Sequence, residues 1–314
     1  MKERQFIDWI RSRTALDPET VPVGPGDDCA VMMIDGKRVL ATTDQALDGV
    51  HFVLSEHGGS AAGRKAMARN LSDVAAMAAV PVAALATVAL PRSARASQAE
   101  DIYNGMREIA DRFDCPIVGG DVGVWSGPLA ISVTVFGRPA GNGKPVGPIL
   151  RSGAVPGDAI CVTGRLGGAW RSRRHLTFTP RIEEAITLAR KYAIHAMIDI
   201  SDGLAADLHH ICEESRVGAR VAAEEIPIHE DAKLAGPETQ DALSASLGDG
   251  EDYELLFALP PQDAHKLIQD QPLGVCVSRI GEILPGDRVS LVGFDGKDQD
   301  LLPEGWEHAT GNGD

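Results

Sequence analysis

The sequence is short of aromatic residues. Phe, Trp and Tyr number 7, 4 and 3, only 4% of 314 residues, so platforms for stacking nucleobases are scarce. It is also short of positive charge. Lys and Arg total 30 against 45 for Asp and Glu, a formal net charge of −15, and phosphate backbones and anionic membranes are neutralised by Lys and Arg. Nucleic acid and membrane surfaces are therefore not expected partners. No apolar run approaches the roughly 18 residues of a membrane span; Pro81 interrupts the best stretch, 74–90. The five cysteines contain no C-x-x-C pair, which reads as free thiols and not as a disulfide frame or zinc site. The opening residues, Met1 to Phe6, lack the apolar core of a signal peptide. Together these absences predict a soluble cytoplasmic protein.

The familiar phosphate and hydrolase motifs are missing too. There is no G-x-x-x-x-G-K-[ST], no G-x-G-x-x-G after a strand, no H-E-x-x-H and no G-x-S-x-G. Any phosphate chemistry must use another device.

What is present suits a protein with a real core: 44% of residues are hydrophobic. Phe6, Ile7 and Ile10 predict a short amphipathic helix over 3–13. Strands are expected at 39–43, 82–90, 129–136, 159–163 and 196–200, and helices at 60–79, 97–113, 181–193 and 203–215. The tail, 285–314, is turn-rich. Residues 137–148 hold four Gly and three Pro, which predicts a linker. The expected fold is mixed α/β in two domains, 1–138 and 150–314.

Aspartate is the distinctive feature. It recurs in Gly26-Asp27-Asp28, Thr42-Thr43-Asp44, Asn70-Leu71-Ser72-Asp73, Gly119-Gly120-Asp121 and Asp199-Ile200-Ser201-Asp202-Gly203. A single Asp in a Gly-containing turn commonly serves only to cap that turn, and Asp202 has the position of a helix N-cap. Asp73 is different. It lies mid-helix, where Asp is a poor former, on an otherwise apolar stripe, and a carboxylate there needs a partner. Seven aspartates (27, 28, 44, 73, 121, 199, 202) at element ends or in one helix stripe, without His or Cys, form a hard oxygen donor set suited to Mg²⁺. Magnesium held by carboxylates usually also holds substrate phosphates.

These motifs, in this order, resemble the thiamine-monophosphate kinase family, part of a superfamily with aminoimidazole ribonucleotide synthetase and selenophosphate synthetase. The resemblance also rests on Gly49-Val50-His51-Phe52, Lys65-Ala66, Arg151-Ser152-Gly153-Ala154, Pro156-Gly157-Asp158 and Gly250-Glu251-Asp252-Tyr253-Glu254, and spans nearly the whole chain. It implies a synthetase-like fold whose N-terminal sheet domain binds ATP and Mg²⁺ and pairs in a homodimer, with a C-terminal α/β domain. It implies transfer of phosphate from ATP to thiamine monophosphate, giving thiamine diphosphate. Metal roles fall on Asp28, Thr42, Thr43, Asp44, Asp73, Asp121, Asp199 and Asp202, of which Asp44, Asp73, Asp121 and Asp202 are expected to be the catalytic set. ATP contacts fall on Tyr103, Gly120, Asp121, Arg151 and Ser201, and thiamine contacts on His51, Glu251 and Trp306. The chain departs from the family after Asp121. Val122-Gly123-Val124-Trp125 stands where the family tends to carry Thr-Thr-Arg, so two hydroxyls and a cation are missing there. The alternatives are another ATP-dependent enzyme of the superfamily, or a nucleotide-binding homologue with weakened activity.

Overall fold

The computed structural model describes residues 3–141, 147–236 and 238–306; the middle of the expected linker and the chain after Trp306 lie outside them. The first half carries α1 (Glu3–Arg11), β1 (Ala30–Ile34), β2 (Lys37–Leu47), α2 (Leu54–Ala76), β3 (Ala79–Pro91), α3 (Ala96–Arg112), β4 (Ile117–Trp125) and β5 (Ala130–Pro139). The second half carries β6 (Ala159–Thr163), α4 (Ala169–Ser172), α5 (Ile182–Lys191), β7 (Ala196–Asp199), α6 (Leu204–Ser215), β8 (Gly218–Ala222), α7 (Thr239–Gly248), β9 (Leu255–Leu259), α8 (Pro261–Asp270), β10 (Val277–Leu284), β11 (Val289–Val292) and β12 (Asp298–Asp300). The strands form two sheets, β1-β2-β5-β3-β4 and β12-β11-β8-β10-β6-β9-β7. The mixed α/β class is as the sequence predicts.

α2 is the element that positions the site. Its Ala-rich sequence suits a helix, but from Gly59 onward it is buried on nearly every side. It packs against β2 and β5 of the first sheet, against β7 of the second, and against α3 and α5. A helix enclosed this way shows no strong apolar stripe. The largest apolar cluster accordingly joins residues of both halves: Leu40, Met67, Ile102 and Val135 pack with Cys161, Phe257 and Leu259. A second cluster, including Val162, Ile198, Leu208, Val221 and Ile283, fills the second half.

Two glycines let α2 and α3 approach closely. A Cβ on Gly63 would lie 2.0 Å from the Ile102 carbonyl oxygen, and one on Gly105 would lie 1.9 Å from that of Ser60. The obstructing atoms are backbone, so the helices must separate to admit a methyl. Gly105→Ala is expected to destabilise the fold by about 1–3 kcal/mol. A thermal melt with an unchanged midpoint would show that the crossing tolerates the methyl.

Some elements differ from expectation. Thr42-Thr43-Asp44 lies inside the eleven-residue β2, not at a strand end. Gly119-Gly120-Asp121 lies inside β4, not in a turn after a strand. β4 adds to the sheet parallel to β3, and apart from Ile117 its residues are exposed. The tail contains two short strands, β11 and β12.

Candidate functional site

Three carboxylates reach one place from three elements. Asp28 lies just before β1, Asp73 in the last turn of α2 and Asp199 at the end of β7. An oxygen of each lies within 4.8 Å of the others. Short hydrogen bonds orient two of them. Thr42 Oγ1 donates to Asp73 Oδ2 (2.5 Å), and Ser72 Oγ donates to Asp199 Oδ2 (2.5 Å). Asp44 stands two residues beyond Thr42 on the same face of β2. Its backbone amide donates to Asn70 Oδ1 at 3.0 Å, and its carboxylate pairs with Arg69 at 3.3 Å. Thr43 falls on the other face. Its hydroxyl donates to the Val133 carbonyl and accepts from Thr134, so that hydroxyl is turned away from the cluster.

The charges are crowded. Burial, then Asp44, Asp199 and Asp28, raise the Asp73 pKa well above the carboxylate range. Burial and Asp28 raise Asp199 to about 7, and burial and Asp28 raise Asp27 to about 7. Arg151 offsets part of this: its guanidinium bonds Asp28 Oδ1 at 2.6 Å and its amide donates to Asp27. Asp28 Oδ2 is buried without a hydrogen-bond partner. Converging hard oxygens, one of them orphaned, with no sulfur or imidazole among them, fit Mg²⁺.

Beside this cluster, two loops are joined by their backbones. The Glu251 amide donates to the Ser201 carbonyl, and the Tyr253 and Ile200 amides complete the pairing of 200–201 with 251–254. The Trp306 amide donates to the Asp202 carbonyl at 2.9 Å. His51 lies against Trp306, ring centroids 5.6 Å apart. Ser201, Asp202, Glu251, His51 and Trp306 therefore lie near one another, and an Asp202 oxygen groups with Asp207 and His210, not with Asp28, Asp73 and Asp199. Asp207 accepts from the amides of Asp202 and Gly203 and so holds the entry to α6. Its burial, with Asp202 close by, pushes its pKa well up.

Tyr103, Gly120 and Asp121 line a separate cavity of about 550 Å³ between α3 and the exposed edge of the first sheet, with Val88, Ile102 and Met106 as apolar walls. Gly120 is required by close approach: a Cβ there would lie 1.7 Å from the Ala86 carbonyl. β5 and β3 lie between β2 and β4, so Asp121 stands roughly 14 Å across the sheet from Asp44 at the usual strand spacing. The structure does not bring Asp121 into the three-carboxylate cluster.

Reading the sequence by itself misses several residues at the site. Lys65 is fully buried and pairs with Glu251 at 2.5 Å. Arg69 serves Asp44, and Trp170 and His175 pack beside Lys65. A charged residue within an Ala- and Met-rich helix is the available signal; its weight comes from the Glu251 loop and the Trp170–His175 segment, which cover the face where Lys is ordinarily solvated.

Residues 26–138 match the AIR synthase related protein N-terminal domain, and residues 156–293 the corresponding C-terminal domain. The thiamine-monophosphate kinase of Rhodopirellula baltica is 39% identical, with 98% of this chain and 97% of that protein covered. The enzyme of the same name from Escherichia coli is 33% identical, covering 97% and 96%. The solved structure of AaThiL complexed with AMPPCP and TMP superposes with a TM-score of 0.81 at 30% identity, covering 98% of this chain and 97% of that one.

Proposed function

The chain belongs to the thiamine-monophosphate kinase family, and from that premise we propose that it transfers the terminal phosphoryl group of ATP to thiamine monophosphate, releasing ADP and thiamine diphosphate. The observation that carries this reading is the convergence of Asp28, Asp73 and Asp199 beside Arg151, a site built for cations and phosphates.

The reaction asks little of a general base. The acceptor oxygen belongs to a phosphate already ionised at neutral pH. It attacks the terminal phosphorus of ATP, and the bond to the bridging oxygen breaks with its electron pair leaving on ADP. The difficulty is to bring two polyanions together in line. Bound Mg²⁺ supplies charge neutralisation and alignment of the phosphate oxygens. Asp28, Asp73 and Asp199 would hold it, with Asp44 close at hand; Asp202 groups instead with Asp207 and His210. Thr42 and Ser72 keep two of these carboxylates oriented. Arg151 contributes a fixed positive charge that can pass from Asp28 to a phosphate. Tyr103, Gly120 and Asp121 offer an apolar cavity with one acidic edge for the nucleotide. Glu251, His51 and Trp306 receive the thiamine end, where the Trp306 ring can lie against the cationic thiazolium.

We further propose a homodimer through the first sheet. β4 pairs only with β3 among the described residues and exposes Val118, Val122, Val124 and Trp125. A long, apolar, unpaired edge is one that proteins normally cover. On this reading the departure at Val122–Trp125 belongs to a covered edge as much as to the nucleotide cavity. Among the described residues no helix is long and apolar enough to cross a membrane, which supports a cytoplasmic location.

A coupled ADP-release assay with thiamine monophosphate and Mg²⁺ tests the activity. Turnover supports the kinase; ATP binding without turnover would identify a weakened homologue. In the same assay Trp306→Ala should raise KM for thiamine monophosphate by about 2- to 30-fold, the range of a cation–π contact. An unchanged KM would remove Trp306 from the thiamine contact.

A further inference from the structure

Lys65 sits in the middle of α2 with no exposed surface. Its ammonium hydrogen-bonds the His51 carbonyl and His175 Nδ1, each at 2.7 Å, and forms an ion pair with Glu251 Oε2 at 2.5 Å. Because His175 Nδ1 accepts from Lys65, the ring proton belongs on Nε2, an assignment inferred from the network. The His175 ring stacks on Trp170 at 4.4 Å, and the ammonium lies 5.3 Å from the Trp170 ring centre.

The ammonium therefore ties together parts of two different loops at the thiamine end. One is the His51 backbone. The other is Glu251, which has a positive φ of 62° beside Gly250 at 67°. A non-glycine residue in this region is strained and persists only where its surroundings hold it. The Ser201 carbonyl holds the Glu251 amide, and Lys65 holds its carboxylate. With Oε2 taken, Oε1 is the acceptor left for the amino group of a pyrimidine. An exposed lysine pair would contribute little; a buried lysine with two hydrogen bonds and an ion pair defines a geometry.

We propose that Lys65 is a positioning residue for thiamine monophosphate: its buried ammonium, steadied by His175 and Trp170, sets Glu251 and the His51 segment in register for the thiamine end of the substrate, with no part in holding ATP. This rests on the reading of His51, Glu251 and Trp306 as thiamine contacts.

The test is Lys65→Met, which keeps the length of the side chain and removes its charge and donors. Steady-state kinetics should show KM for thiamine monophosphate raised about tenfold or more, the effect of a lost charged hydrogen bond, with KM for ATP within about twofold of wild type. Calorimetric titration with thiamine monophosphate should show the same loss of affinity. An equal rise in both KM values, or a fall in kcat alone, would overturn the proposal. Should Lys65→Met fail to fold, His175→Leu decides, since it removes one acceptor and leaves Lys65 and Glu251 in place. It should give the same one-sided KM change at about threefold, and no such change refutes the idea. Wild-type protein in the same run separates the two readings. No ADP release from wild type defeats the kinase assignment; normal wild-type turnover with an unaltered KM in the variants defeats only the role of Lys65.

Discussion

Asp73→Asn is expected to lower kcat by about 10²-fold or more, because it removes a charge that positions metal and phosphate. The substitution is unusually clean. Thr42 donates to Asp73 Oδ2, and an amide oxygen can accept that bond in its place. Shape and burial are kept. The folded protein without metal should also tolerate the change well, because burial, and then Asp44, Asp199 and Asp28, already press the Asp73 carboxyl toward its neutral form. The expected result is therefore a split: activity falls steeply while the melting temperature of chelated protein stays level or rises. The gain in melting temperature on adding Mg²⁺ should shrink. Rates near wild type would remove Asp73 from the site, and a collapse in the stability of chelated protein would make its role structural.

The split also shows where the sequence was legible. Asp73 stands out from its neighbours alone, as a poor helix former on an apolar stripe, and the structure places it with Asp28 and Asp199. Strand-to-helix junctions are similarly readable: the helix expected at 203–215 is observed as Leu204–Ser215 after β7. Periodicity carries such elements because each buries one face against one partner.

Other features depend on partners distant in sequence. β11 and β12 are four and three residues long and exist because β11 pairs with β8 and β12 in turn with β11; locally they read as turns. Gly119 and Gly120 read as a turn by composition, yet β3 lies so close that Gly120 is needed within a strand. Thr43 and Thr42 look equivalent as ligands in sequence, but strand alternation sends their hydroxyls to opposite faces. Lys65 is the strongest case. Its meaning depends on Glu251 and His175, 186 and 110 residues away along the chain, and a local pattern holds no trace of that pairing.

Removing divalent cations with excess chelator should abolish turnover and, beyond that, make stability depend on pH in a definite direction. The pKa values of Asp27 and Asp199 are each raised to about 7, chiefly by burial, from an ordinary value of 3.8. A carboxyl raised on folding favours the native state fully below its unfolded pKa, and this contribution is lost as pH rises through the folded value. The metal-free protein should accordingly lose stability from about pH 4 to pH 7, as protons shared by the cluster are stripped and like charges face one another. Mg²⁺ reverses this, since it binds the ionised form and displaces those protons. Its stabilising effect should be larger at pH 8 than at pH 5.5, and binding at pH 6.5 should release protons, measurable by calorimetry in buffers of different ionisation enthalpy. Full turnover in excess chelator would contradict the metal reading, and a Mg²⁺-induced shift in melting temperature that ignores pH would separate the ion from these carboxylates.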